Sequence, residues 1–97
     1  MVAPISKIYV PNAFTPDGDG INDIFMVQGH NLSEYSIVIR DRWGQIIYRS
    51  SDITSGWNGR KFNTGKLSQI GSYTYSIQYK VVPEKKQVQT GTINLIR

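Results

Sequence analysis

The stretch Phe14-Thr15-Pro16-Asp17-Gly18-Asp19-Gly20-Ile21-Asn22-Asp23 holds the densest set of coordinating oxygens in the chain. Its carboxylates alternate with glycines, which permit sharp turns. Calcium takes six to eight oxygen ligands from carboxylates, amide oxygens and backbone carbonyls. On the calcium-loop template with Thr15 first, Asp17 and Asp19 take the third and fifth positions and Gly20 the turn position. Ile21 then supplies a backbone carbonyl, and Asp23 stands ninth. Met26 falls where a bidentate Glu belongs, so the set lacks two ligands and one charge. The alternative is a metal-free turn, in which Asp and Asn side chains bond backbone N–H groups two residues on. The defect at Met26 favours the metal-free turn and leaves Asp17, Asp19, Ile21 and Asp23 as a calcium set only if other groups complete it.

No other constellation supports catalysis. His30 is the one histidine, and a triad or zinc site needs company that Ser33 and Glu34 do not supply. Glu34, Asp41 and Asp52 have the chemistry of a glycosidase pair but no spacing that fixes them across a substrate. The expectation is therefore a domain that is not an enzyme and requires no cofactor. Arg42-Trp43-Gly44 admits two readings. Trp43 either tucks inward as an aromatic plug, the preferred reading because Trp is mostly buried in proteins, or stands out with Arg42 as a contact pair. Trp57-Asn58-Gly59 reads in the same way: a tight Asn-Gly turn with Trp57 packed.

The elements that must position these residues are strands. Between Ser72 and Val82, Tyr73, Tyr75, Ile77, Tyr79 and Val81 share one face, with Thr74, Ser76, Gln78 and Lys80 on the other. Pro83 to Lys86 makes a turn and 87–96 a returning strand, with a bulge or bend expected at Gly91. A second hairpin joins 35–40 to 45–49 through Asp41-Arg42-Trp43-Gly44. Residues 5–10 and 24–28 form short strands. Residues 50–70, rich in Gly, Ser, Asn and Thr, make a long ordered connection whose Trp57 and Phe62 plug the edge of the core. No segment carries helical spacing beyond one turn. The expected fold is all-β, an immunoglobulin-like β-sandwich of about seven strands, with a small barrel as runner-up. Residues 1–4 read as a remnant or linker, and 5–97 as one domain.

Bulk properties narrow the function classes. The chain has 97 residues and no cysteine, so its core rests on packing alone. Its eleven basic and seven acidic residues give +4, with pI near 9.5. The basic residues are scattered singly or in pairs, which suits a solvated surface and argues against nucleic-acid binding. No apolar run approaches the roughly 20 residues of a transmembrane helix.

Five ordered motifs carry a resemblance. Val10-Pro11-Asn12-Ala13-Phe14-Thr15-Pro16-Asp17-Gly18-Asp19-Gly20-Ile21-Asn22-Asp23 resembles the opening signature of the gliding-motility-associated C-terminal domain family, with Asp17 in place of the usual Asn. Asp41-Arg42-Trp43-Gly44, Trp57-Asn58-Gly59, Gly71-Ser72-Tyr73-Thr74-Tyr75 and the closing Gly91 to Arg97 follow in the family's order. The resemblance implies a type B sorting domain of the Bacteroidetes type IX secretion system. It implies a secretion signal, read by outer-membrane machinery that includes a PorP/SprF-like protein. It also implies cargo that travels through the periplasm to the cell surface or beyond. It carries over Asn12, Asp17, Gly18, Asp19, Gly20, Asn22 and Asp23 as one signature, and Arg42, Trp43 and Gly44 as another. Apart from the resemblance, an exposed sheet edge pairs with a partner by strand addition, and the closing strand from Gly91 to Arg97, with Ile93, Leu95 and Arg97, is the candidate for pairing with the exporter. The alternative function is an adhesive or carbohydrate-binding module.

Overall fold

Tyr73, Tyr75, Ile77 and Tyr79 are buried while Thr74 and Gln78 between them are exposed, as a half-buried strand requires. The structure, a computed structural model, describes residues 8–16, 23–29, 32–81 and 86–96. Among them are seven strands: β1 (Ile8–Tyr9), β2 (Ala13–Phe14), β3 (Gln28–Gly29), β4 (Leu32–Arg40), β5 (Ile46–Ser50), β6 (Gly71–Val81) and β7 (Lys86–Leu95). A single 3₁₀ turn spans Lys61–Asn63. The all-β sandwich expected from the alternation is the fold observed.

Five strands form the main sheet in the order β2-β7-β6-β4-β5. Both expected hairpins are present, β4–β5 and β6–β7, each antiparallel. They join through β4 and β6, which pair along almost their whole length, with Ile37 opposite Ile77 and Ile39 opposite Tyr75. β2 adds itself parallel to β7, with Ala13 opposite Asn94 and Phe14 opposite Leu95.

Gly91 is not the expected bulge: the β6–β7 register runs through it unbroken, with Gly91 opposite Tyr75. The Tyr75 ring lies across the glycine, so a Cβ there would meet the Tyr75 hydroxyl at 2.6 Å. A missing side chain lets the aromatic ring close over bare backbone, and the pairing survives.

The second layer is slighter. β1 pairs with β3, bringing Ile8 and Val27 inward. The strand expected over 24–28 is reduced to β3 and an isolated bridge, where Phe25 and Trp57 exchange backbone hydrogen bonds of 2.8 and 3.0 Å. That bridge places Trp57, 0% exposed, at the centre of the core. Its ring lies 5.2 Å from that of Phe14 and 5.1 Å from that of Tyr73, edge-on to the latter. Trp57 Nε1–H donates to the Arg60 carbonyl at 2.8 Å, so the indole is buried with its polar end satisfied. Trp57 packs as the sequence suggests. Phe62 does not plug the core: it is 46% exposed, in a left-handed conformation at φ 50°.

The register sets one end of the main sheet. Phe14, Leu95 and Gly71 stand level on β2, β7 and β6. β4 ends at Arg40 opposite Thr74, and its turn to β5 projects past that end beside Gly71.

Candidate recognition surface

The β4–β5 turn is built from one carboxylate. Asp41 Oδ1 accepts the backbone N–H groups of Trp43 and Gln45, both at 2.9 Å. The Gly44 N–H donates to the Asp41 carbonyl, and the Asp41 N–H to the Gln45 carbonyl, each at 3.0 Å. Gly44 supplies the positive φ, +82°, that closes the turn. These bonds fix the turn without help from the core, and Trp43 is 82% exposed. The inward plug preferred from sequence is therefore overturned and Trp43 stands outward: a turn tied by its own backbone and extended past the sheet has no core within reach of its tip. The Arg42 guanidinium carbon sits 6.0 Å from the Trp43 ring centroid, within cation–π range.

Facing this turn is the 56–68 segment, which hydrogen bonds hold tightly. Asn63 Nδ2 donates to the Gly56 carbonyl at 2.7 Å, and Asn63 Oδ1 accepts the Asn58 N–H at 2.9 Å. The Lys61 N–H donates to the Lys66 carbonyl at 2.9 Å, and the Gly65 N–H returns to the Lys61 carbonyl at 2.8 Å. The left-handed Phe62 and Asn63 cost about 1–2 kcal/mol each, strain that this lattice of bonds offsets. Between segment and turn lies a cleft of ≈ 320 Å³. Arg42, Trp43, Lys61, Lys66 and Leu67 line it, and the buried Ile47 and Tyr73 contribute from β5 and β6.

The other candidate residues are dispersed. The Asn12 carbonyl accepts the Asn94 backbone N–H at 2.8 Å, and so locks β2 to β7. Ile93 and Leu95 are core residues at 0% exposure, so their side chains are closed to a partner in the folded domain. Nor is the end of β7 an open edge, because β2 covers it at Asn94 and Leu95. Asp17, Gly18, Asp19, Gly20, Ile21, Asn22, His30 and Arg97 lie outside the described residues, as do 83–85 of the expected Pro83 to Lys86 turn. Asp23 is the one described member of the calcium set, and among the described residues no three His, Cys, Asp or Glu side chains gather as a metal would require. A cation there would depend on the ligands of 17–22.

The described carboxylates singled out for chemistry have local partners. Glu34 pairs with Lys86 at 3.6 Å on the exposed surface. Asp52 accepts Thr54 Oγ1–H at 2.6 Å and the Thr54 N–H at 2.9 Å, and these bonds hold its carboxyl below the usual carboxylate range. Lys61, Lys66 and Leu67 carry no motif in the sequence. They stand out only as isolated cations and an apolar residue inside a Gly/Ser/Asn/Thr stretch.

The described residues thus form a small all-β domain that exposes an Arg-Trp pair on a turn tied by Asp41. The CHU_C type IX secretion signal domain family matches residues 8–95, nearly the whole chain, and the chain belongs to that family. Its role is that of a type IX secretion signal, which implies contact with the secretion machinery and delivery of the attached protein to the surface or the exterior. Comparison with curated proteins gives no match.

Proposed function

We propose that the folded domain is a non-catalytic address, by which a cargo protein is handed to the type IX exporter of a gliding Bacteroidetes bacterium and carried across the outer membrane. In this reading a PorP/SprF-like outer-membrane protein is the receptor. The observation that carries the reading is Trp43, 82% exposed beside Arg42 on a turn that Asp41 holds rigid, within a chain of the secretion-signal family. A preformed surface loses less conformational entropy on docking than a flexible one, which suits a signal read by shape. Calcium at 17–23 is an accessory proposal, supported by the sequence alone.

The test is a reporter placed between an export leader and this domain, expressed in a host with type IX machinery. Reporter at the cell surface or in the medium is the expected result, lost when the host lacks the exporter. Periplasmic retention in the competent host overturns the proposal.

A further inference from the structure

The cleft between the β4–β5 turn and the 56–68 segment is cationic on both walls. Arg42 stands on one, Lys61 and Lys66 on the other, and none of the three forms an ion pair among the described residues. The Lys61-to-Lys66 backbone bond keeps the two lysines on a single turn. Asp41 is the one carboxylate in the lining, and its Oδ1 is already occupied by two backbone N–H groups. The apolar remainder is Trp43, with the half-exposed Leu67 above the buried Ile47 and Tyr73. Its volume of ≈ 320 Å³ suits one or two side chains of an extended strand.

We propose that this cleft receives an acidic, extended segment of the partner polypeptide, whose carboxylates meet Arg42, Lys61 and Lys66 and whose apolar side chain packs between Trp43 and Leu67. This rests on the secretion-signal reading and specifies what the receptor presents to the domain. Charge complementarity selects the occupant: cations without an ion pair among the described residues, set around an apolar floor, match alternating acid and apolar side chains. Guanidinium and ammonium groups at the rim also speed encounter with such a segment, and salt weakens that attraction.

The test uses the purified domain and a short synthetic peptide of glutamates flanking one phenylalanine. Trp43 is the exposed tryptophan and Trp57 is buried, so intrinsic fluorescence reports the cleft, and Trp43→Phe removes the signal. Saturable binding is expected, weakened by salt, about tenfold weaker for Lys61→Gln/Lys66→Gln and retained for Lys61→Arg/Lys66→Arg. No saturable response, an equal response to the glutamine version of the peptide, or binding of a polyuronate oligosaccharide in its place overturns the proposal. The export assay separates the two levels. A wild-type reporter that stays in the periplasm defeats the secretion-signal reading itself. Wild-type export together with equal export of a folded Lys61→Glu/Lys66→Glu domain defeats the cleft alone.

Discussion

Asp41 Oδ1 accepts the Trp43 backbone N–H at 2.9 Å, while the indole of the same residue stands exposed to solvent. A fixed backbone with an exposed side chain is what the proposed contact role needs. Removing an exposed side chain away from caps and cores changes stability by no more than about 0.5 kcal/mol. Trp43→Ala is therefore expected to melt like the wild type and to lose export. A loss of about 3–5 kcal/mol in urea unfolding, the cost of truncating a core tryptophan, contradicts the exposed placement.

Trp57 is the counter-case. It touches Phe14 and Tyr73, is closed off from water and has its Nε1–H satisfied by Arg60. Trp57→Ala is expected to cost about 3–5 kcal/mol, a large share of the stability of a domain this small. Urea denaturation followed by far-ultraviolet circular dichroism measures it. A change below about 1 kcal/mol speaks against the central position of this ring.

The two tryptophans mark the limit of what the sequence discloses. Alternation along 72–82 and 35–40 was enough to place both hairpins and the inward faces of β4 and β6, because a period of two needs only local information. Trp43 and Trp57 both sit beside turn residues. Distant chain decides Trp57, which the Phe25 backbone reaches across to fix, whereas Trp43 stands on a turn that its near neighbour Asp41 ties to itself. The Gly91 bulge failed for the same reason, since the Tyr75 ring that covers the glycine belongs to the neighbouring strand. The cleft stayed illegible because its two walls lie on separate segments, 41–47 and 61–69, that only the fold brings together.

Truncation of the last five residues now has a different expected outcome from simple loss of a docking strand. Ile93 and Leu95 are fully buried, and β7 residues 94 and 95 also carry β2. Deleting 93–97 removes two core side chains, each worth about 2–5 kcal/mol, together with a strand pairing. The truncated chain is expected to be unfolded by circular dichroism, and its failure to be exported then reports folding. A folded truncated domain overturns this account of β7.

Calcium offers a test that needs no export assay. A ligand that binds only the native state raises stability by RT ln(1 + [L]/Kd), about 2.7 kcal/mol at a hundredfold excess over Kd. If 17–23 binds calcium, millimolar calcium raises Tm and a chelator reverses it, while Asp19→Asn blunts the rise. Identical melting curves with calcium and with chelator remove the metal and leave the turn held by its own side chains.

Tyr35 gives the domain an alkaline limb. Burial, and secondarily the charge that Tyr48 would carry, push the Tyr35 phenol well above its usual value near 10. The unfolded chain ionises first as pH rises, so it binds fewer protons than the native state over that interval. The Tyr35 contribution is therefore complete below about pH 10 and is lost as pH climbs from there towards the raised native value. The comparison that isolates Tyr35 is wild type against Tyr35→Phe, whose alkaline limb is expected to be flatter. The Tyr48 hydroxyl is buried and has no hydrogen-bond partner among the described residues. A buried hydroxyl without a partner costs about 1–3 kcal/mol, so Tyr48→Phe is expected to leave stability at pH 7 equal or raised. It leaves most of the Tyr35 shift in place, because burial is the larger cause. Urea midpoints at pH 7 and at two alkaline values measure both effects, and a destabilised Tyr48→Phe at pH 7 contradicts the unpartnered hydroxyl.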